Sequence, residues 1–141
     1  MSIYDIYNHK LLEFITQNRC DLSNSNLAEI DQNIFSFINL EELDLSENRL
    51  ELLSDDIYKL ENLKILNLSD NILSTLPASI SKLEKLESLF LSGNKLKTLP
   101  SAIVKLTNLK WVSICDNHNL VLSEKQKKWI KLLQMSGCKI M

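Results

Sequence analysis

The sequence predicts an α/β solenoid: a curved stack of similar coils with a parallel sheet on its concave face, about five repeats, and a helical cap at each end. Three observations predict it. Leucine occurs 28 times in 141 residues and asparagine 14 times, while Gly and Pro occur twice each. Three segments, Leu40 to Asn62, Leu63 to Lys85 and Leu86 to Asn108, align without a gap at a period of 23. In each, apolar residues fall at positions one, four, six, eleven, fourteen, eighteen and twenty-one, and asparagine falls at position nine. One such unit cannot cover its own apolar side chains, so neighbours must stack and the ends must be capped.

The chain reads as a single domain in three parts: residues 1–16 as an N-terminal helical cap, 17–122 as repeats, and 123–141 as a C-terminal cap. From Tyr4 to Gln17, Tyr7, Leu11, Phe14 and Ile15 recur at helical spacing, which predicts an amphipathic helix over the first coil. A weaker copy of the repeat follows from Gln17 to Asn39. It keeps Cys20, Leu22, Leu27, Ile30, Ile34 and Phe37 in register and has Ser25 in place of the asparagine.

Apolar positions four and six, such as Leu66 and Leu68, flank position five, which is polar in the first two full copies (Asp44, Asn67), the period of a short strand with one buried face. Positions eleven to twenty-one return the chain along the outside as turns and short helical pieces. A further copy begins at Leu109 with Val112, Ile114 and Asn117. It then gains a residue, so that Leu120 takes the place of position eleven. Ser123 to Gln126 form a capping box, and the helix that follows presents Trp129, Ile130, Leu132 and Leu133. Gly137 stops it. Cys138 and Ile140 then alternate as positions four and six of a last short strand. Strands are thus expected near Cys20, Leu43, Leu66, Leu89, Val112 and Cys138.

Asn48, Asn71, Asn94 and Asn117 each have a structural task. The backbone turns inward after the strand and leaves N–H and C=O groups without ladder partners. A buried amide carries two donors and an acceptor, so it satisfies groups on its own and the next coil. A ladder of four side chains is expected.

LxxLxLxxNxL followed by LPxxIxxLxxL resembles the 23-residue class of leucine-rich repeats, and is similar to small bacterial proteins that end in a helix and a CKI-like segment. The resemblance covers Gln17 to Leu122. It implies a horseshoe solenoid acting as a non-catalytic protein-binding module, an adaptor or scaffold.

Composition and motifs narrow the chemistry. Charged residues make up 24% of the chain and hydrophobic ones 45%, as in a folded globular protein. A net charge of −2 gives no electrostatic basis for nucleic-acid binding. No run of about 18 apolar residues occurs, so membrane insertion is not expected, and no signal-peptide core fits the N-terminus. Cys20, Cys115 and Cys138 are odd in number and widely spaced, which supports neither a disulfide framework nor a metal site and suits a reducing cytoplasm. With two glycines there is no phosphate-binding loop. Cys115, Asp116 and His118 lie close together, but Cys115 continues a column of small residues, Ser23, Ser46, Ser69 and Ser92. No catalytic residue, metal ligand or cofactor is therefore assigned. The lysines of the last helix, Lys125, Lys127, Lys128 and Lys131, read as a solvated face.

What remains is the concave surface. Position three reads Arg19, Glu42, Ile65, Ser88, Trp111; position five reads Asp21, Asp44, Asn67, Phe90, Ser113; position eight reads Asn24, Glu47, Asp70, Gly93, Asp116. The first half is acidic. The second has apolar residues at places that the repeat assigns to water. Ile65 and Trp111, two strands apart, lie about 10 Å from each other, with Phe90 on the strand between. Ile65, Phe90 and Trp111, rimmed by Glu42, Asp44, Asn67 and Asp70, are the candidate partner-binding residues of a monomer that takes a protein or peptide. The alternatives are an effector delivered into a host cell and a self-associating solenoid.

Overall fold

The computed structural model describes residues 17–141. The expected N-terminal cap helix lies outside the described residues, apart from Gln17. Six short strands form one parallel sheet in sequence order: β1 (Arg19–Asp21), β2 (Glu42–Asp44), β3 (Ile65–Asn67), β4 (Ser88–Phe90), β5 (Trp111–Ser113) and β6 (Lys139–Ile140). From β1 to β5 the register advances by 23 residues per strand, so that Cys20, Leu43, Leu66, Leu89 and Val112 stand side by side. All five are buried, as are the leucines at position six from Leu22 to Leu91.

The chain returns through four 3-10 segments, Gln32–Ser36, Asp55–Lys59, Ala78–Lys82 and Ser101–Lys105. The first two are capped by side chains, Asp31 accepting from the Asn33 amide and Ser54 from the Asp56 amide. At the same place in the next two stand Pro77 and Pro100, whose rings fix the backbone φ that the entry needs. Ile34, Ile57, Ile80 and Ile103 point from these segments into the core. Apolar side chains of sheet and return segments thus fill one continuous interior.

The last helix spans Glu124–Met135 and begins with a reciprocal capping box, Ser123 with Gln126. Trp129 and Leu133 are buried and Ile130 is half-buried, but Leu132 is 63% exposed. At about 100° per residue the four span about 160°, and Leu132 falls at the edge, outside the arc set by Gln126, Trp129 and Leu133.

β6 differs from the expected register by two residues. Lys139 pairs with Trp111 and Ile140 with Val112, so Ile140 holds position four. The cause is the helix ending: Gly137 has φ +92°, and the Cys138 amide still donates to Leu133 O at 2.9 Å. Cys138 therefore belongs to the turn. A slide of two keeps inward residues inward, and Cys138 remains buried. Leu120, at the inserted residue, is only half-buried.

Candidate concave binding site

The four asparagines shape the turn beneath the site. Asn71 Nδ2 donates to Leu45 O (2.9 Å), Leu68 O (3.2 Å) and Ser69 O (3.2 Å), and Asn71 Oδ1 accepts from the Leu50 amide at 2.9 Å. Asn94 repeats this with Leu68, Leu91, Ser92 and Leu73, and Asn117 with Leu91, Ile114, Cys115 and Leu96. Asn48 accepts twice, from the amides of Ser25 and Leu27, in the coil that has Ser25 in place of the position-nine asparagine. Every inter-coil bond goes to the preceding coil, where the sequence suggested the following one. The inserted residue near Leu120 comes after Asn117 and leaves its bonds intact.

Position eight is a left-handed turn residue. Asn24, Glu47, Asp70, Gly93 and Asp116 all have φ between 48° and 67°. Asn, Asp and Gly suit that conformation, and Glu47 is the exception. A Cβ built on Gly93 would stand 2.2 Å from Asp70 Oδ1, so the Asp70 carboxylate lies against the next turn. Asp70 consequently falls outside the concavity that holds the other candidates.

That concavity has a volume of about 350 Å³ and is lined by Glu42, Asp44, Ile65, Asn67, Ser88, Phe90, Trp111 and Met141. Six of the seven partner-binding candidates therefore share one site. Ile65 and Phe90 are half-buried and Trp111 is 38% exposed. Lys139, from the C-terminal cap segment, places its Nζ 4.3 Å from the Trp111 ring centroid, a cation–π contact that covers the ring from one side.

The acidic rim is partly engaged by its neighbours. Arg19 makes two contacts with the Glu42 carboxylate, Nε to Oε2 at 2.6 Å and an Nη2 hydrogen bond to Oε1 at 3.2 Å. Asp44 Oδ1 accepts from the amide and hydroxyl of Ser46, and Asp44 Oδ2 accepts from Asn67 Nδ2 at 3.1 Å. The face thus runs from tethered carboxylates at Glu42 and Asp44 to a lysine at Trp111.

Three contributors were missed in the sequence. Met141 enters the concavity and Lys139 comes to lie over the Trp111 ring because of the register of β6. Ser88 leaves a gap between Ile65 and Trp111 in the position-three column. A fourth feature lies beside the site. Position two alternates Glu41, Lys64, Glu87, Lys110, with Lys64–Glu41 at 2.9 Å and Lys110–Glu87 at 2.8 Å. The hydrogen bond to Glu41, with the charges of Glu41 and Glu87, outweighs desolvation and holds the Lys64 ammonium above the usual lysine range. That alternation of sign at a period of 23 was readable.

Cys115, Asp116 and His118 are all exposed, and Cys115 Sγ lies 3.0 Å from Ser92 Oγ. Ser92 and Ser113 hydroxyls are also in contact. Among the described residues no group of His, Cys, Asp and Glu has the arrangement of a metal site.

A family model for the leucine rich repeat matches the chain over residues 19–73, 39–96 and 61–118. Among solved structures, a leucine-rich-repeat protein of Leptospira interrogans is 35% identical with a TM-score of 0.68, over 81% of this chain and 28% of that one. The ectodomain of the receptor kinase SOBIR1 from Arabidopsis thaliana is 25% identical with a TM-score of 0.66, over 85% of this chain and 65% of that one. The chain thus spans just over a quarter of the Leptospira protein and just under two thirds of the plant ectodomain. No curated protein sequence matches it. The repeat register, the single parallel sheet and these matches lead to one conclusion: the chain belongs to the leucine-rich-repeat family.

Proposed function

We propose that this protein is a non-catalytic adaptor that holds a protein or peptide on its concave face. Leucine-rich-repeat domains generally mediate protein–protein interaction, and this chain shares their fold. One observation carries the reading furthest: Ile65, Phe90 and Trp111, from three successive coils, line one concavity while retaining contact with water. Aromatic anchors within a polar rim are the common anatomy of a binding surface. Because Arg19 holds Glu42 and Lys139 covers one side of Trp111, the partner that fits best is an apolar segment with a basic group towards Asp44 and an acidic group towards Lys139. Asp70 and Glu47 act beyond the site, as long-range attraction for a basic partner.

On this proposal the protein acts as a cytoplasmic monomer, and its three free thiols suit a reducing compartment. Among the described residues, no helix is long and apolar enough to cross a membrane. A photoreactive amino acid in place of Trp111, compared with one in place of Lys82 on the outer side, tests the assignment. Cross-links to a partner should form from position 111 and not from position 82. The reverse pattern would reject concave-face binding, and cross-links to a second copy would favour self-association.

A further inference from the structure

A second surface lies away from the concave site, where the last helix meets the final return segment. Between them runs a groove of about 420 Å³. Val104 and Thr107 form one wall, and Trp129, Leu132, Leu133 and Ser136 form the floor and the other wall. Lys125 and Lys128 complete the lining, and no carboxylate contributes to it. Leu132 is 63% exposed and Met135 76%. Lys125, Lys128, Leu132 and Met135 follow helical spacing, so they form one stripe along the helix.

The charge of the groove is uncompensated. The helix has four lysines and one glutamate, a local charge of +3 on a chain of net −2. Its one glutamate, Glu124, is taken by Lys127 at 2.8 Å. Lys125, Lys128 and Lys131 have no ion-pair partner among the described residues.

We propose that this groove docks an acidic amphipathic helix of a partner protein. Its apolar residues would enter between Val104 and Leu132, and its carboxylates would meet Lys125 and Lys128. The helix of twelve residues gives the groove a length of about 18 Å, enough for three turns of a partner helix. Helix in apolar groove is a common mode of recognition, anchored at i, i+3 and i+4 spacing. The wall here is a helix, whose backbone groups are internally paired, so strand addition is not available. Trp129 and Leu133, 5% and 3% exposed, back the groove from within the core, so the apolar surface it offers is that of Val104 and Leu132, beside the two lysines.

The test uses the full chain and fluorescence anisotropy of two synthetic helical peptides, with Leu at i, i+3, i+4 and i+7. One carries Glu at its remaining positions and the other Lys. The Glu peptide should bind saturably, less tightly as salt rises. Leu132→Asp and Lys125→Glu/Lys128→Glu, which replace exposed side chains, should each weaken it about tenfold or more, with circular dichroism unchanged. The double variant should instead bind the Lys peptide. Absence of binding, or equal binding of both peptides, would overturn the proposal. So would sedimentation with phosphatidylcholine/phosphatidylserine vesicles without peptide binding, or a mass increase in light scattering that Leu132→Asp abolishes. Loss of the Glu peptide on Phe90→Ala would place it on the concave face and overturn the groove assignment, leaving the concave-face proposal standing.

Discussion

Asn71 binds four backbone groups on two coils from a site 5% exposed to solvent. Asn71→Ala should cost roughly 1–3 kcal/mol, because those groups lose their partner where water cannot replace it. Asn117→Ala should cost about as much, because its four bonds are the same. Urea denaturation midpoints measure both, and an unchanged midpoint would contradict the ladder. Gly93→Ala should cost about 1–2 kcal/mol in the same assay, since alanine must adopt a positive φ and displace the Asp70 carboxylate. Cysteine chemistry separates by burial. Cys115 is exposed, whereas burial raises the Cys138 thiol above its usual range. The folded state therefore keeps a proton that the unfolded chain releases. The resulting stability is complete at neutral pH and is lost as pH climbs through the raised value. Iodoacetamide followed by peptide mass spectrometry should modify Cys115 first, with Cys20 and Cys138 lagging at every pH at which the protein stays folded. The asparagine column was legible because a period of 23 repeats it without a gap. Position eight was not: Glu47 and Asp70 look like rim acids until their backbone angles are known.

The last helix is attached to the final coil by side chains that bond main chain. Gln126 Nε2 donates to Leu99 O at 2.9 Å and Pro100 O at 3.3 Å, and Trp129 Nε1 donates to Leu106 O at 3.0 Å. These bonds satisfy carbonyls at the open end of the stack, and Trp129 and Leu133 cover its leucines. Removing Ser123 to Met141 should expose Ile103, Leu106 and Leu109 and give an insoluble or oligomeric product in size-exclusion chromatography with light scattering. A folded monomer without this segment would refute the capping role. The helix was readable from Ser123 and Gln126, whose reciprocal bonding is local. The strand after it was readable in its alternation but not in its register. Sliding CKI by two residues leaves the apolar pattern unchanged, and only the length of the turn at Gly137 decides between the two. That slide put Lys139 beside Trp111 and Met141 into the site. The alternating pairs of position two are exposed and stabilise little at neutral pH. The raised Lys64 value places the loss of its share only at strongly alkaline pH.

Across the whole molecule, the core and the proposed binding surface lie on opposite faces of the same strands. Inward positions four and six are filled by apolar residues from coil to coil, which makes the stack a chain of nearest-neighbour contacts. Outward positions three and five are under no such demand, so Ile65, Phe90 and Trp111 stand out there as departures from the repeat. Their column assignments followed from the period alone. So did their proximity across neighbouring strands, whereas how much of each side chain stays in contact with water did not. Phe90 lies in the middle of that group, on β4, with the Asn67 and Ser113 strands on either side. The measurement that tests the binding account most directly is isothermal titration of the purified cross-linked partner against wild type and Phe90→Ala, with urea denaturation of both proteins alongside. The account predicts a loss of about 2 kcal/mol or more in binding and a stability change below about 0.5 kcal/mol. Wild-type affinity in Phe90→Ala, or an unfolded variant, would contradict it.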